Sequence, residues 1–142
     1  MRATELFELA QRLPPGDQAG YVAMRLEEVL ENSPVSIWRR GDLIPHADRW
    51  TLVGIAPYSL PDLELLDALL DALRQISSRA ELVQVFDVLA CTEMNDLNDF
   101  IPGIGKVYQT PAIGVWKSGV LIEKVSGAAA RKLIKSRYGF AR

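Results

Sequence analysis

Cysteine and histidine are almost absent from this chain of 142 residues, which contains one of each, Cys91 and His46. A single cysteine cannot form a disulfide within the chain, so a scaffold built on disulfides is excluded. One cysteine and one histidine also cannot supply the four ligands of the usual structural zinc site, and we expect no metal ion or other cofactor. His46 is interpreted as a surface or loop histidine.

The sequence also lacks any apolar run close to the roughly 20 residues that a membrane-spanning helix needs. It begins without the basic start and apolar stretch of a signal peptide, so we expect a soluble cytoplasmic protein that does not contact membranes. The formal net charge of −2 gives no indication of a nucleic-acid partner. The length suits one domain that buries a core of its own.

Charge is distributed unevenly along the chain. Residues 1–100 contain 8 basic and 17 acidic side chains, whereas residues 101–142 contain 8 basic side chains and a single acidic one, Glu123. One interpretation is a basic surface that faces an acidic partner, or self-association between oppositely charged ends. The interpretation that we favour is that the two parts pack together, so that their surface charges mix.

The first 34 residues are predicted to form a two-helix extension. Apolar residues recur at helical spacing over residues 3–13, with Thr4 as the cap and Pro14-Pro15-Gly16 as the end. A second helix is predicted over residues 17–32. We consider three roles for this extension: packing on the rest of the chain, formation of a homo-oligomer, or contact with a partner.

Residues 35–142 are predicted to form an α/β domain. Apolar runs bounded by turn residues predict strands, and apolar residues at helical spacing predict helices. The predicted strands cover residues 35–39, 51–56, 81–88, 112–116 and 120–125, and the predicted helices follow Ser59 and cover residues 92–101 and 128–137. The first of these helices makes its flanking strands parallel, and Lys117-Ser118-Gly119 predicts a hairpin turn. The expected architecture is a mixed sheet of four to five strands with helices on both faces.

Polar residues mark the outer side of the helix that follows Ser59. Seven apolar side chains, six leucines and Ile76, recur along this helix at a spacing that gives it a broad apolar face. Glu64, Asp67 and Asp71 fall outside that face. We therefore expect these three carboxylates to lie on the solvent side.

Two segments resemble the thioredoxin family. The first is Thr110-Pro111-Ala112-Ile113-Gly114-Val115-Trp116-Lys117-Ser118-Gly119-Val120 followed by Gly127, similar to the proline, hairpin and glycine that precede the last helix of thioredoxins. The second is Ala56-Pro57-Tyr58-Ser59-Leu60-Pro61-Asp62, which lies where thioredoxins carry Trp-Cys-Gly-Pro-Cys. The resemblance covers about residues 35–137. It implies a thioredoxin-like fold with a cis peptide bond before Pro111. The two predicted N-terminal helices are not part of that fold.

Both redox cysteines of thioredoxins are missing, and Ser59 and Asp62 stand in their positions. Dithiol exchange needs one thiolate that attacks and a second thiol that resolves the mixed disulfide, so we do not expect this chain to catalyse it. Ser59 is interpreted as a helix cap, with Pro61 in the first turn and Asp62 interacting favourably with the helix dipole. The alternative is Ser59 as an activated nucleophile, which would need a base.

Several residues follow neighbouring strands and are predicted to meet at one edge of the sheet. This predicted patch consists of Tyr58, Ser59, Asp62, Cys91, Thr92, Thr110 and Pro111. The resemblance implies that backbone groups beside Pro111 bind an extended peptide by strand-like hydrogen bonds. Cys91 has two interpretations: a peroxidatic, glutathionylated or regulatory thiol at a helix start, or a small semi-buried apolar residue.

These observations favour a redox-inactive thioredoxin-like protein that binds another polypeptide through the groove beside Pro111, as a chaperone-like or assembly module. The alternative is a single-thiol redox enzyme that uses Cys91, either peroxidase-like or linked to glutathione. A third hypothesis is a partner bound through the basic end of the chain, whose cationic residues are Arg131, Lys132, Lys135, Arg137 and Arg142. The sequence predicts no particular client, substrate or oligomeric state.

Overall fold

Five helices and five strands lie within the residues that the computed structural model describes, namely 1–39, 41–45, 47–75, 81–88 and 109–139. The N-terminal helices are α1 (Ala3–Ala10), α2 (Pro15–Met24) and α3 (Leu26–Leu30). The other elements, in chain order, are β1 (Ser36–Ile37), β2 (Arg49–Ile55), α4 (Leu60–Arg74), β3 (Glu81–Asp87), β4 (Ala112–Lys117), β5 (Val120–Ser126) and α5 (Ala128–Tyr138). His46 and the predicted helix over residues 92–101 lie outside the described residues.

The five strands form one mixed sheet in the order β1-β3-β2-β4-β5. Both β1 and β2 run parallel to β3, and Val53 lies opposite Val85. β4 runs antiparallel to β2, and β5 runs antiparallel to β4, so Ala112 lies between Gly54 and Ser126. The predicted mixed sheet, its parallel central strands and its hairpin are confirmed.

One face of the sheet is covered by helices. Alternate residues of the central strands, including Val53, Val85 and Ile113, are almost fully buried on this face. Buried residues from all five helices join the same cluster, among them Leu6 of α1 and Ile134 of α5. Helices α1, α2 and α3 therefore share one core with the sheet, and their apolar sides are covered by this chain itself.

The opposite face of the sheet carries an aromatic cluster. Trp50 lies between Trp38 and Trp116, with ring centroids 4.8 and 4.3 Å from its own, and Phe86 joins the same cluster. A Cβ atom at Gly54 would lie 2.4 Å from the Phe86 ring, so glycine is required for this close approach. Among the described residues, helices contribute to the first cluster and not to this one.

The N-terminal helices differ from their predicted bounds. The prediction of a single helix over residues 17–32 is wrong, because α2 ends at Met24 and α3 begins at Leu26. Arg25 lies between them, and its backbone has a φ of −105° and a ψ of 8°. The Arg25 side chain packs over the Tyr21 ring, 5.1 Å from its centroid, and pairs with Glu28 at 2.9 Å. The first helix ends at Ala10, earlier than predicted.

A buried carboxylate of α4 joins α1 to the core. Asp67 is 4% exposed and accepts hydrogen bonds from the backbone N–H groups of Ala3 and Thr4, at 2.7 and 3.1 Å, and from the Thr4 hydroxyl at 2.9 Å. N–H groups in the first turn of a helix have no carbonyl partner within that helix. The predictions of Thr4 as the cap and of Asp67 on the solvent side are therefore wrong, because Asp67 itself supplies the acceptor.

Replacing Asp67 by alanine is expected to lower the free energy of unfolding by about 2–4 kcal/mol, because the first turn of α1 loses a charged acceptor in a buried place. Glu64→Ala, on the exposed side of the same helix, is the matched control and should change that free energy by less than about 0.5 kcal/mol. Urea unfolding followed by circular dichroism measures both variants. Equal effects would contradict the capping role of Asp67.

A second polar network joins α5 to the sheet. The Tyr138 hydroxyl donates a hydrogen bond of 3.1 Å to Glu81, and the Thr51 hydroxyl donates one of 2.5 Å to the other oxygen of the same carboxylate. Arg137 lies 4.0 Å from Glu81 as well. Burial, followed by the negative charge of Glu81, raises the pKa of Tyr138 above its ordinary value of 10.0.

The raised pKa of Tyr138 predicts a loss of stability at alkaline pH. The unfolded chain ionises this phenol near pH 10.0 while the folded chain keeps it neutral, so the stabilisation is complete below that pH and declines as the pH rises above it. Tyr138→Phe is expected to show a smaller decline than the unchanged protein, and Tyr58→Phe, at an exposed tyrosine, is expected to keep the full decline. Urea unfolding over a series of alkaline pH values measures the difference. Parallel curves for all three proteins would refute it.

Candidate functional site

The end of β2, the start of α4, the residues before β4 and the start of α5 meet at one edge of the sheet. Ala112 lies opposite Gly54 near the end of β2, so Thr110 and Pro111 lie beside the residues that follow β2. The Thr110–Pro111 peptide bond is cis. Pro111 is buried, and its carbonyl accepts a hydrogen bond of 2.8 Å from the N–H of Gly127. This bond holds the start of α5 at the same edge.

Gly127 meets two local constraints at the start of α5. Its φ of 68° lies in the region that favours glycine. A Cβ atom at this position would also lie 2.0 Å from Oε1 of Gln109, so the Gln109 side chain occupies the space that a larger residue would need. The segment before Pro111 and the start of α5 are therefore packed directly against each other.

Ser59 is the N-cap of α4. Its hydroxyl accepts a hydrogen bond of 3.3 Å from the N–H of Asp62, and Pro61 lies in the first turn. The predicted capping role of Ser59 is confirmed. Within the part of the chain that the structure describes, no titratable side chain forms a hydrogen bond with the Ser59 hydroxyl, and nothing there activates it as a nucleophile.

The Asp62 side chain is turned into the protein. It is 1% exposed, and its two oxygens accept hydrogen bonds of 3.0 Å from the N–H of Ala56 and 3.2 Å from the guanidinium of Arg131. The same guanidinium donates a bond of 3.0 Å to the carbonyl of Pro61. The Asp62 carboxylate thus has partners inside the protein, in contrast to the surface role that the predicted patch gave it.

The ion pair between Asp62 and Arg131 joins α4 to α5 at this edge. A buried carboxylate is costly unless it is paired and hydrogen-bonded, and Asp62 is both. Arg131 is 27% exposed, so the cation keeps some contact with water. Asp62 lies at the position where the resemblance places the second redox cysteine, and the pair gives that position a structural function that needs no thiol.

Exposed side chains at the same edge are mainly apolar. Tyr58 is 61% exposed and Leu60 is 38% exposed, Pro61 is also exposed, and Thr110 is half-buried. We call the surface formed by Tyr58, Leu60, Pro61, Thr110 and the backbone beside Pro111 the edge groove. Of the residues predicted to meet, the structure places Tyr58, Ser59, Asp62, Thr110 and Pro111 at this edge, whereas Cys91 and Thr92 lie outside the described residues.

Sequence reasoning missed Leu60, Pro61 and Arg131 as residues of this site. Leu60 and Pro61 have a local signal, because they occupy the exposed first turn of a helix at a predicted sheet edge. Arg131 has none, since its partner Asp62 lies 69 positions earlier in the chain. Across residues 1–39, 41–45, 47–75, 81–88 and 109–139, no group of three or more His, Cys, Asp or Glu side chains is placed to hold a metal ion.

Solved structures share this arrangement of strands and helices. ERdj5 in its form I matches with a TM-score of 0.52 at 18% identity, over 83% of this chain and 14% of the ERdj5 chain. Form II of ERdj5 matches with a TM-score of 0.50 at 18% identity, over 80% of this chain and 14% of that one. The chain has a thioredoxin-like fold.

Two further comparisons concern this thioredoxin-like chain. A mutant thioredoxin from Halobacterium salinarum aligns over 78% of this chain and 96% of its own, at 18% identity and a TM-score of 0.48. No protein-family model and no curated protein matches the sequence. Among the described helices, none is both long enough and apolar enough to cross a membrane.

The ion pair of the thioredoxin-like edge is expected to show strong coupling in a double-mutant cycle. Asp62→Ala, Arg131→Ala and the double variant should give a coupling energy of about 1–3 kcal/mol, because each single change leaves a charge without its partner. The control cycle uses Asp71 and Arg74, which lie 3.7 Å apart and are both well exposed, and its coupling should stay below about 0.5 kcal/mol. Urea unfolding gives both energies. A coupling at Asp62–Arg131 no larger than in the control would contradict the structural role of the pair.

Proposed function

We propose that this thioredoxin-like protein binds an extended polypeptide segment at the edge groove and performs no dithiol exchange. The observation that carries the proposal is the combination of a buried Asp62–Arg131 pair with an exposed apolar edge around Tyr58. The pair fixes the two helices that frame the groove. The exposed side chains then provide the contact surface for a partner.

The first support concerns the absence of redox chemistry. The chain has a single cysteine, Cys91, whereas exchange with a substrate disulfide needs an attacking thiol and a resolving thiol. The hydroxyl of Ser59 caps α4, and the carboxylate of Asp62 pairs with Arg131. Both side chains hold the start of α4 in place, and neither supplies a thiol for redox chemistry. This supports a binding role at this edge rather than dithiol exchange.

The second support concerns the exposed apolar side chains. Tyr58 and Leu60 are among the large apolar residues that remain exposed in the described part of the chain. An apolar patch on an otherwise polar surface is typical of a site for another protein. An exposed aromatic ring provides a large contact area at a low entropic cost, which makes Tyr58 the expected anchor of the partner.

The third support comes from the backbone of Thr110. This residue precedes β4, and it forms no hydrogen bond with any other residue that the structure describes. No described residue occupies its N–H and carbonyl groups, and such backbone groups are suited to pairing with an extended chain. Such backbone pairing provides affinity, while side-chain contacts such as those of Tyr58 provide specificity.

A peptide-binding measurement tests the proposal. The probe is a fluorescein-labelled dodecapeptide in which Leu and Tyr alternate with Gln, and its fluorescence anisotropy reports binding. Tyr58→Ser is expected to weaken binding by about tenfold or more, because the aromatic anchor is lost. Val120→Ser, which changes an exposed apolar residue at the far end of the hairpin, is the matched control and should leave the affinity unchanged.

Variation of Cys91 separates the binding role from a single-thiol enzyme. Cys91→Ser is expected to keep full peptide affinity, and the unchanged protein is expected not to accelerate the reduction of insulin disulfides by dithiothreitol. Peptide binding that survives Tyr58→Ser would place the site elsewhere. Loss of binding in Cys91→Ser, or rapid consumption of hydrogen peroxide by the unchanged protein, would overturn the proposal in favour of the enzyme.

A further inference from the structure

We infer that the polypeptide bound at the edge groove is acidic, and that the exposed lysines of α5 contact its carboxylates. This inference rests on the proposed function and adds the chemical class of the partner. It starts from the composition of α5, whose residues Ala128–Tyr138 include four basic side chains and no acidic one. The four are Arg131, Lys132, Lys135 and Arg137.

Only part of this positive charge is neutralised within the described residues. Arg131 pairs with Asp62, and Arg137 lies 4.0 Å from both Glu81 and Glu123. Lys132 and Lys135 are exposed, and their ammonium groups form no ion pair or hydrogen bond with any residue that the structure describes. Within the described part of the chain, the outer side of α5 therefore presents two cations that no other side chain neutralises.

These lysines line a shallow groove on the surface of α5. The groove is formed by Ala128, Arg131, Lys132, Lys135 and Ser136. Ala128 and the aliphatic parts of the lysines give it apolar walls, while the ammonium groups remain in water. We call this surface the basic groove. It suits a chain that carries both apolar and acidic side chains.

Arg131 connects the basic groove with the edge groove. Arg131 lines the basic groove, and its guanidinium donates to the carbonyl of Pro61 in the edge groove at 3.0 Å. The first residue of α5, Ala128, follows Gly127, whose N–H is bonded to the carbonyl of Pro111. The start of α5 thus adjoins the edge groove, and a polypeptide that extends from Tyr58 and Thr110 along this helix would reach Lys132 and Lys135.

The spacing of the cations fits an extended acidic segment. Side chains on one side of an extended chain repeat at every second residue, or about every 7 Å. Lys132 and Lys135, whose ammonium groups have no partner among the described residues, are three residues apart on the helix, or about 4.5 Å along its axis. The long lysine side chains can cover the difference, so carboxylates on one side of a bound strand would meet both ammonium groups, while the apolar residues on its other side would pack on the edge groove.

Charge elsewhere in the chain favours a peptide over a nucleic acid. Residues 1–100 contain 17 acidic and 8 basic side chains, and this excess of negative charge would repel a long polyanion. The edge groove beside the lysines is apolar and exposes Tyr58 and Leu60. A short acidic segment with apolar side chains would contact both the basic groove and the apolar edge groove. A nucleic-acid backbone would make favourable contacts with the basic groove alone.

Three labelled dodecapeptides test the inference. They share the same alternating Leu and Tyr residues and carry Glu, Gln or Lys at the intervening positions. The Glu peptide is expected to bind about three- to tenfold more tightly than the Gln peptide, and the Lys peptide more weakly than either. The advantage of the Glu peptide should shrink as sodium chloride is raised, because exposed charges are screened.

Two charge variants locate the effect. Lys132→Gln/Lys135→Gln is expected to remove the advantage of the Glu peptide and to leave the affinity of the Gln peptide unchanged. The matched control is Arg12→Gln/Lys117→Gln, which removes the same amount of charge from exposed positions on α1's C-terminal side and at the hairpin turn. This control should keep the full advantage of the Glu peptide.

The outcomes distinguish the inference from the proposed function. Equal binding of the Glu and Gln peptides, weakened alike by Tyr58→Ser, would overturn the inference and keep the edge groove. A Glu advantage that depends on Lys132 and Lys135 but not on Tyr58 would support the basic groove and overturn the edge groove. Absence of any peptide binding would overturn both. Tighter binding of a single-stranded oligothymidine than of the Glu peptide would also overturn the inference, since the site would then be one for nucleic acid.

Discussion

A buried carboxylate is stable only when groups inside the protein replace its contacts with water. The partners of Asp62 are the backbone that follows β2, which donates one hydrogen bond, and the side chain of Arg131 of α5, which forms an ion pair. The geometry of the edge depends on this pairing, because the start of α4, the end of β2 and the first turns of α5 are held by one side chain. The exposed residues of the edge groove are therefore positioned by elements that the Asp62 contacts hold together.

Helix α4 carries two buried carboxylates, and each one contacts a different helix. Asp67 accepts the first N–H groups of α1, while Asp62 accepts the guanidinium of α5. The buried leucines of α4 belong to the same core cluster as residues of the sheet. Helix α4 therefore positions both the N-terminal helices and the last helix relative to the sheet. In the described residues the N-terminal helices are an integral part of this packing, because their buried residues enter the same cluster.

Local patterns in the sequence were sufficient for the strands and for one cap. The continuous apolar run from Thr51 to Ala56 predicts a strand buried on both faces, and β2 lies at the centre of the sheet. The Lys117-Ser118-Gly119 turn predicts the hairpin of β4 and β5, and Ser59 with Asp62 predicts the start of α4. Each of these features is decided by residues that are close in the chain.

Features that depend on distant residues could not be predicted in the same way. Asp67 has the spacing of a solvent-facing residue on α4, yet it is buried because α1 packs over it from 63 positions away. Arg131 has the appearance of one more cation in a basic helix, and its pairing with Asp62 is established only when α5 folds back on α4. The break between α2 and α3 at Arg25 likewise has no proline or glycine to mark it in the sequence.

The position of the aromatic cluster has a consequence for spectroscopy. The chain contains three tryptophans, and all three lie in the cluster on the face of the sheet opposite the described helices. Intrinsic fluorescence therefore reports the environment of that face, whereas the described helices, which contribute to far-ultraviolet circular dichroism, pack on the other face. The close, tilted stacking of Trp50 with its two neighbours also favours coupling between the indole transitions. Comparing the unfolding transitions followed by tryptophan fluorescence and by circular dichroism thus tests, without any added probe, whether the aromatic face and the described helices unfold together.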